Sequence, residues 1–256
     1  MKVALTGSTG FIGKAVSAET PRDAEIIRLG RNLDEIRWDM RDTSQPNLLE
    51  FDSIVHSGWI TAPRSARVMR SNYLSSLELL SLAQERNATF VMVSSQSASE
   101  FTRSLYGQTK FALERKVLAY SKGVVLRPGT VRDEWGQVGM LESALSTLAA
   151  LPVRLSINPS PMVPLVSLDR VVDAVWFAAL SDPFLLDSRI LQLVDHWEPL
   201  EHLVESRRGV RRVSTLSVQT SWLTATARLA HVLPLGRMRD SADSWLGLVD
   251  LPGQVG

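Results

Sequence analysis

Residues 2–13 read Lys2-Val3-Ala4-Leu5-Thr6-Gly7-Ser8-Thr9-Gly10-Phe11-Ile12-Gly13, an apolar run that ends in three glycines spaced three apart. The run is typical of a β-strand, and a helical pattern follows it. In such a turn Gly7 permits a tight bend, Gly10 lets backbone N–H groups approach a pyrophosphate, and Gly13 lets the helix pack close to the strand. The pyrophosphate would lie at the helix N-terminus, where free N–H groups and the helix dipole favour an anion. The stretch therefore predicts a dinucleotide-binding turn.

The composition limits the classes of protein to consider. A chain of 256 residues can bury a sizeable core, and its net charge of +1 gives no reason to expect nucleic acid as a partner. Without cysteine there is no disulfide or thiolate metal site, and the four histidines, His56, His196, His202 and His231, lack metal-type spacing, so we expect no metal. The sequence has no leader pattern and no apolar stretch that could span a bilayer. We therefore expect a cytoplasmic protein with no membrane contact.

Short β-type runs alternate with longer amphipathic stretches, which is typical of βαβ units around a parallel sheet. Strands are predicted near residues 3–6, 25–29, 35–38, 53–56, 90–94 and 124–127, and helices at 11–17, 68–85 and 106–120. After Pro128 the alternation ends, and a helix at about 169–180 and a strand near 190–194 follow. The pattern predicts an α/β fold, a Rossmann-type doubly wound parallel sheet with helices on both faces and a small C-terminal substrate lobe.

The expected domains follow from this change of pattern. Residues 1–130, with about 165–195, are predicted to form the NAD(P)-binding domain, and about 131–164 and 196–256 the substrate-binding lobe. The amphipathic stretch 222–233 is rich in small and apolar residues. We interpret it as a helix that packs within the lobe rather than as a membrane anchor.

A second motif lies in the middle of the chain, where a buried-type strand ends in hydroxyls and Tyr106-Gly107-Gln108-Thr109-Lys110 begins a helix. Tyr106 and Lys110 are four residues apart, so they share one helix face. A phenol has a reference pKa of about 10, and a neighbouring ammonium group should lower it. Tyr106 could then act as general acid or base at a carbonyl or alcohol oxygen, which Ser95 could align, while a nicotinamide transfers the hydride. Ser95 and Ser97 share a strand face that Ser94 opposes, so the register leaves the choice of serine open.

These motifs, in order across roughly the first seventy per cent of the chain, resemble the extended short-chain dehydrogenase/reductase superfamily, in its NAD-dependent epimerase/dehydratase branch. The resemblance implies catalytic roles for Ser95, Tyr106 and Lys110, and it favours Ser95 over the neighbouring serines. It also implies cofactor contacts from the glycine turn, from the adenine-contacting pair, from the segment after the fourth strand, from a helix asparagine and from the Arg-Pro-Gly after the sixth strand. Those residues are Gly7, Ser8, Thr9, Gly10, Phe11, Ile12, Gly13, Asp39, Met40, Ser57, Gly58, Asn72, Tyr106, Lys110, Arg127 and Pro128.

The end of the second strand bears on the choice of cofactor. NAD-preferring sites place a carboxylate there, about twenty residues past the glycines, to bind the ribose 2′-hydroxyl. This chain has Gly30 in that place and Arg31 next to it. A 2′-phosphate would fit, and a guanidinium group would hold it. The sequence therefore predicts NADP(H) rather than NAD(H), the alternative being that Arg31 is an ordinary solvated turn residue.

The substrate is less defined. Nucleotide-sugar members of the branch commonly hold a diphosphate with an asparagine and an arginine, and those places here hold Thr130 and Met162. The interval from Ser95 to Tyr106 is also short, which implies a smaller or differently held substrate. Candidate pocket residues are Arg64, Arg103, Arg132 and Trp135.

The leading functional hypothesis is an NADP-dependent oxidoreductase that reduces a ketone or oxidises the corresponding alcohol. The alternatives are a redox-neutral nucleotide-sugar epimerase or dehydratase, and a non-catalytic NADP-binding sensor or scaffold. The resemblance further implies a homodimer through the helices at 68–85 and 106–120, since related proteins often dimerise in this way, although monomers also occur.

Overall fold

The computed structural model describes residues 1–31, 36–41, 45–47, 50–208, 214–221, 223–224, 227 and 236–251. Its strands are β1 Lys2–Thr6, β2 Glu25–Gly30, β3 Ile36–Arg37, β4 Ser53–His56, β5 Thr89–Val93, β6 Gly123–Pro128, β7 Thr130–Arg132, β8 Val153–Asn158, β9 Met162–Ser167, β10 Ile190–Leu193, β11 His196–Pro199 and β12 Ser214–Gln219. Its α-helices are α1 Phe11–Ala18, α2 Ala66–Glu85, α3 Leu105–Ala119, α4 Glu142–Ala149, α5 Leu168–Leu180, α6 Leu200–Arg208 and α7 Gly236–Val249.

The main sheet has seven strands in the order β10-β6-β5-β4-β1-β2-β3, and its pairings are parallel. Successive residues of a strand point to opposite faces. Val91 and Val93 therefore pack with α1 and α5 on one face, whereas Phe90 and Met92 pack with α2 and α3 on the other. The predicted Rossmann-type, doubly wound sheet with helices on both faces is confirmed.

The strand order reverses beside β1, which lies between β2 and β4. In such sheets the crevice outside the carboxyl ends of the two strands at the reversal receives the ligand. The loops that follow β1 and β4 begin at Gly7 and Ser57. The topology thus brings the glycine turn and the segment after the fourth strand to one place.

Two helices begin earlier than the sequence pattern indicated, because serine caps precede them. Ser65 accepts a hydrogen bond from the backbone N–H of Val68, so α2 begins at Ala66. Ser104 does the same for Gly107 at 3.2 Å, so α3 begins one residue before Tyr106. The short strand predicted at 35–38 is present at Ile36–Arg37, and residue 35 lies outside the described residues.

The remaining elements form a smaller unit beside the main sheet. A three-stranded sheet has the order β11-β9-β7, and β12 pairs with β8. Apolar residues of β9, α4 and α6, including Val163, Leu145 and Leu203, form a separate core that Trp245 and Leu248 of α7 cover. The predicted helix at 222–233 lies mostly outside the described residues. Within the described part of the chain, no helix is long and apolar enough to cross a membrane.

Candidate active site

Two of the three glycines of the β1–α1 turn, Gly7 and Gly13, are packed too closely to carry side chains. Gly7 has a φ of +72°, and a Cβ atom there would lie 2.6 Å from the backbone nitrogen of Gly58. A Cβ on Gly13 would lie 2.1 Å from the carbonyl oxygen of Gly7, whereas one on Gly10 would lie 3.2 Å from it. The turn, here called the cradle, therefore requires glycine at positions 7 and 13, and Gly10, at the N-terminus of α1, is its most open position.

Side chains of β1 tie this cradle to the loop after β4. The Thr6 hydroxyl accepts a hydrogen bond from the Gly58 N–H at 3.0 Å, and the Ser57 hydroxyl donates to the Thr6 carbonyl at 2.8 Å. Ser8 lies in the turn, and among the described residues nothing pairs with its buried hydroxyl. An unpaired buried hydroxyl is costly unless a ligand satisfies it. The cradle and this hydroxyl fit a bound diphosphate.

His56 at the end of β4 is a structural residue rather than an acid or base. Its ring nitrogens lie 2.8 Å from the hydroxyls of Thr6 and Ser76, and Ser76 itself donates to the Asn72 carbonyl. Ser76 must therefore accept from Nε2–H, and Nδ1 accepts from Thr6. Burial, with a smaller contribution from the charge of Lys110, lowers the pKa of His56 to about 3. The Asn72 side chain accepts a hydrogen bond from the Ile60 N–H and donates one to the Ile60 carbonyl. It therefore shapes the loop after β4.

The three predicted catalytic residues line one cavity of about 490 Å³, here called the Tyr106 cavity. Ser95 follows β5, and Tyr106 and Lys110 lie one turn apart on α3. The Ser94 hydroxyl instead donates to buried Glu114 at 2.5 Å, while the Ser95 and Ser97 hydroxyls lie 3.0 Å apart. The hydroxyl of Ser94 is thus engaged elsewhere, and Ser95 is the serine that hydrogen-bonds to Tyr106.

The acidity of Tyr106 differs from the sequence-based expectation. Burial raises the pKa of Tyr106 to about 12, which outweighs the opposing effects of the Arg64 charge and the hydrogen bond with Ser95. The expectation that Lys110 lowers this pKa is wrong, because the Lys110 side chain turns to the Val93 carbonyl at 2.8 Å and its Nζ lies 5.8 Å from the phenol ring. At neutral pH the phenol of the ligand-free protein is protonated.

Lys110 is buried against an aromatic ring that the sequence analysis did not identify. Its Nζ atom lies 3.9 Å from the ring centroid of Trp59, which in turn meets the Tyr106 ring edge-on at 6.1 Å. Burial lowers the pKa of Lys110 to about 7, against the opposing charge of Glu114. Trp59 also has a buried indole N–H without a partner among the described residues. It lies on the wall between the two halves of the site.

Lys110 should make the stability of the protein depend on pH. An unfolded lysine titrates near pH 10.4, so between about pH 7 and 9.5 the unfolded chain binds a proton that the native protein does not. The free energy of unfolding is therefore expected to rise in this window by about 1 kcal/mol per pH unit. Lys110→Met should abolish the rise, as measured by urea denaturation at several pH values. Lys116→Met, at an exposed position of α3, is the matched control and should leave the rise intact; a rise that persists in Lys110→Met would contradict the assignment.

A second cavity, of about 460 Å³ and here called the Arg31 cavity, adjoins the first. Gly7, Gly58 and Trp59 line both cavities, so together they form one groove across the carboxyl ends of β1, β2 and β4. The predicted contacts Ser8, Thr9, Arg31, Asp39 and Met40 line the Arg31 cavity, and so does Gly30. Arg41 lines it too, which the sequence analysis missed. The groove has the two-lobed form that an extended dinucleotide needs.

Arg127 is engaged away from the groove. Its guanidinium forms a bidentate ion pair with Glu114, in which Nε lies 2.9 Å from Oε1 and Nη2 lies 2.5 Å from Oε2. Glu114 is almost fully buried, and the pair also meets the Ser94 hydroxyl. Pro128, by contrast, lines the Tyr106 cavity, together with Gly10, Phe11, Ile12, Gly13, Ser57 and Gly58.

Residues of the smaller unit line a part of the Tyr106 cavity, here called its lobe side. Val131, Val138, Leu141 and Pro164 line it, together with Asp243, Ser244, Gly247 and Leu248 of α7. Of the four candidate pocket residues, Arg64 lines the cavity, whereas Arg103 pairs with Asp250. Arg132 and Trp135 are exposed, the latter by 81%. The described part of the chain contains no cluster of side chains that could hold a metal ion.

Comparison with known proteins identifies the family. The model of the NAD dependent epimerase/dehydratase family matches residues 3–179, which run from β1 into α5 and include six of the seven strands of the main sheet. The chain belongs to the NAD dependent epimerase/dehydratase family. The resemblance drawn from the glycine turn and the Tyr-Lys pair is thereby confirmed. A comparison with curated protein sequences gives no significant match.

Three solved structures have a similar fold, and two of them are named for different enzyme activities. RMD from Pseudomonas aeruginosa, complexed with NADPH, is 17% identical with a TM-score of 0.63 over 85% of this chain and 87% of its own. The dTDP-glucose 4,6-dehydratase of Bacillus anthracis, in complex with NAD, is 14% identical with a TM-score of 0.64 over 86% and 84%. The L-threonine dehydrogenase of Phytophthora infestans is 16% identical with a TM-score of 0.63 over 85% of each chain. At these identities the likeness extends to the fold alone.

Proposed function

We propose that this protein is an NADP(H)-dependent oxidoreductase that reduces a ketone, or oxidises the corresponding alcohol, with Tyr106 as the acid or base. The observation that carries the proposal is the meeting of Ser95, Tyr106 and Lys110 in one cavity at the end of the glycine-turn groove. A bound nicotinamide would supply or accept the hydride in that cavity. The chain's own residues bind the substrate oxygen and move its proton.

Each of the three side chains has a distinct part in this chemistry. The Ser95 hydroxyl orients the substrate oxygen, and the Tyr106 phenol gives that oxygen a proton as the carbonyl is reduced. Because burial raises the pKa of Tyr106 to about 12, the phenol is in the acid form that reduction requires. Lys110 is fixed by the Val93 carbonyl and the Trp59 ring, with Nζ 5.8 Å from the centroid of the phenol ring, and would contact the bound cofactor.

The proposed preference for NADP(H) rests on charge in the Arg31 cavity. Arg31 and Arg41 are exposed cations on its wall, and Gly30 leaves room where a carboxylate would repel a phosphate. Arg41 is anchored through its backbone N–H, which donates to Asp39 at 3.0 Å. A 2′-phosphate between two guanidinium groups gains charge-assisted hydrogen bonds that a 2′-hydroxyl lacks.

Arg31→Asp is expected to lower the affinity for NADPH and to leave that for NADH nearly unchanged. A lost hydrogen bond to a charged group is worth about 1.5–3 kcal/mol, so NADPH should bind roughly tenfold to a hundredfold more weakly. Titration calorimetry with both nucleotides measures the ratio. Arg86→Asp makes the same charge change at the amino-terminal edge of the sheet and serves as the control. An unchanged ratio in Arg31→Asp would refute the assignment.

An uncharged carbonyl compound fits the lobe side of the Tyr106 cavity better than a nucleotide sugar does. Its described walls are largely apolar, and the charged groups that line the cavity there are Arg64 and Asp243, which pair with each other at 3.3 Å. A diphosphate needs cations that are free to bind it. Thr130 lines the cavity in the place of the asparagine of nucleotide-sugar members. We propose that the lobe at about 131–164 and 196–256 holds this substrate.

The test is a search for net turnover of the cofactor. Purified protein and NADPH are incubated together with each member of two panels, one of uncharged ketones and one of nucleotide sugars. Products are identified by mass spectrometry. The proposal predicts stoichiometric loss of NADPH with a ketone. Conversion of a nucleotide sugar without loss of NADPH would favour an epimerase or dehydratase, and binding without turnover of either panel would favour a sensor.

The location in the cytoplasm and the homodimer through α2 and α3 stay predictions, and sedimentation would test the homodimer.

A further inference from the structure

The C-terminal helix α7 places a carboxylate at the start of the helix that carries Tyr106. Asp243 is fully buried, and its carboxylate accepts hydrogen bonds from the Ser104 hydroxyl at 2.8 Å and from the backbone N–H of Leu105 at 2.5 Å. A longer contact of 3.4 Å reaches the N–H of Tyr106 itself. The first N–H groups of a helix lack partners within the helix, and its dipole favours an anion there. Asp243, more than a hundred residues away in the sequence, thus accepts hydrogen bonds from the backbone N–H groups at the N-terminus of α3.

Arg64 connects the same carboxylate to the ring of Tyr106. Its Nη1 atom lies 3.3 Å from Asp243 Oδ2, and its Cζ atom lies 5.3 Å from the centroid of the Tyr106 ring. The backbone N–H of Arg64 donates to Asp240, one turn before Asp243 on α7. The guanidinium is nearly buried, with 11% of the side chain exposed. The loop after β4, the start of α3 and α7 therefore meet around the phenol.

We propose that Arg64 and Asp243 are a positioning pair, which holds the Tyr106 phenol in its catalytic orientation and balances the charge around it, so that α7 completes the active site. The proposal rests on the proposed function, because it takes Tyr106 to be the proton donor. Neither residue needs to touch the substrate for this role. Both act through Tyr106, one on its ring and the other on its backbone.

The charges around the phenol predict opposite effects for the two partners. The groups that face Tyr106 are Arg64 from the β4–α2 loop, Lys110 on α3 and Asp243 on α7, with Asp240 behind Arg64. A cation stabilises the phenolate and an anion destabilises it. The Arg64 charge accordingly lowers the pKa of Tyr106, and the Asp243 charge raises it. A purely structural tether would not give shifts of opposite sign.

A second ion pair offers a matched control on the same two segments. Arg103, in the loop before α3, is bound by both oxygens of Asp250 at the end of α7. The backbone N–H of Arg103 also donates to Asp250 at 2.7 Å. This pair ties α7 to the start of α3 as the first one does. Within the described part of the chain neither residue of this pair contacts Tyr106, so Asp250→Asn weakens the tether without changing the charge at the phenol.

The experiment follows the ionisation of Tyr106 by NMR in protein labelled with ¹³C at tyrosine Cζ. The chain has three tyrosines, Tyr73, Tyr106 and Tyr120, and Tyr106→Phe assigns the signal. With a shift of about one pH unit for each charge, the ionised fraction at pH 11 should be about a tenth in the wild type, about half in Asp243→Asn and about a hundredth in Arg64→Met. Arg64→Lys, which keeps the charge, should restore the wild-type fraction, and Asp250→Asn should not alter it. Circular dichroism at the same pH verifies that each variant is folded.

The outcomes separate the positioning pair from the proposed function, because the titration needs no substrate. Unchanged ionisation in Arg64→Met and Asp243→Asn, shifts of the same sign, or an equal shift in Asp250→Asn would overturn the pair. If Asp243→Asn does not fold, Arg64→Met against Arg64→Lys decides the question alone. Opposite shifts in a protein that reduces no ketone would leave the pair standing and remove the proposed function. Tyr106-dependent ketone reduction without these shifts would support the proposed function and overturn the positioning pair.

Discussion

Tyr106→Phe is expected to lower the rate of ketone reduction by a factor of about 10²–10⁴, which is the contribution of a positioned general acid. The substitution removes one hydroxyl and keeps the ring, so the edge-on contact with Trp59 and the packing against Arg64 are retained. The affinity for NADPH should therefore change little. Steady-state kinetics and nucleotide titration on the same preparation separate the two effects.

Tyr120→Phe is the matched control for this substitution. Tyr120 follows α3, and its hydroxyl donates to the Ala88 carbonyl at 2.8 Å, away from the residues that line the Tyr106 cavity. Its loss should cost about 1 kcal/mol of stability, as for an ordinary hydrogen bond, and leave the rate unchanged. If Tyr106→Phe retained the wild-type rate, the acid would have to be another group.

Gly13→Ala is expected to impair both folding stability and cofactor binding. The new methyl group would lie 2.1 Å from the carbonyl oxygen of Gly7, and the atoms that it meets belong to the backbone of Gly7 and Ser8, so α1 must move away from β1. Overpacking of this kind costs about 1–3 kcal/mol. The displaced helix no longer presents its N-terminus to the diphosphate, so NADPH affinity should fall by at least about a hundredfold. Urea denaturation and nucleotide titration measure the two losses.

Gly10→Ala separates the two roles of the turn, which are close packing of α1 on β1 and binding of the diphosphate. A methyl group there would lie 3.2 Å from the same carbonyl oxygen, which a small adjustment accommodates, but it would extend into the cradle. This variant should keep most of its stability and lose most of its NADPH affinity. Equal nucleotide affinities in the wild type and both variants would mean that the diphosphate does not lie on this turn.

The sequence was sufficient for the main sheet because each of its strands carries a local signal. The alternation of Phe90, Val91, Met92 and Val93 suits a strand buried on both faces, and the glycines mark a turn with no room for side chains. The motifs around Ser95, Tyr106 and Lys110 lie at the ends of such elements. A parallel sheet brings those ends to one edge, so the sequence could predict that they meet.

The contributions that the sequence did not reveal come from distant segments or from burial. Arg64 and Asp243 are 179 residues apart, and neither follows a spacing rule that relates it to Tyr106. The engagement of Arg127 by Glu114 depends on how α3 lies against β6. The high pKa of Tyr106 arises from desolvation, which depends on the folded packing and not on the neighbouring residue types.

The most direct test of the account follows the hydride itself. NADPH that carries deuterium at the transferred position is incubated with the protein and an uncharged ketone, and the products are examined by mass spectrometry. The account predicts one deuterium on the carbinol carbon of the alcohol for each NADPH oxidised, with transfer about 10²–10⁴-fold slower in Tyr106→Phe. A nucleotide sugar converted with no net oxidation of NADPH, or deuterium transfer that is undiminished in Tyr106→Phe, would contradict it.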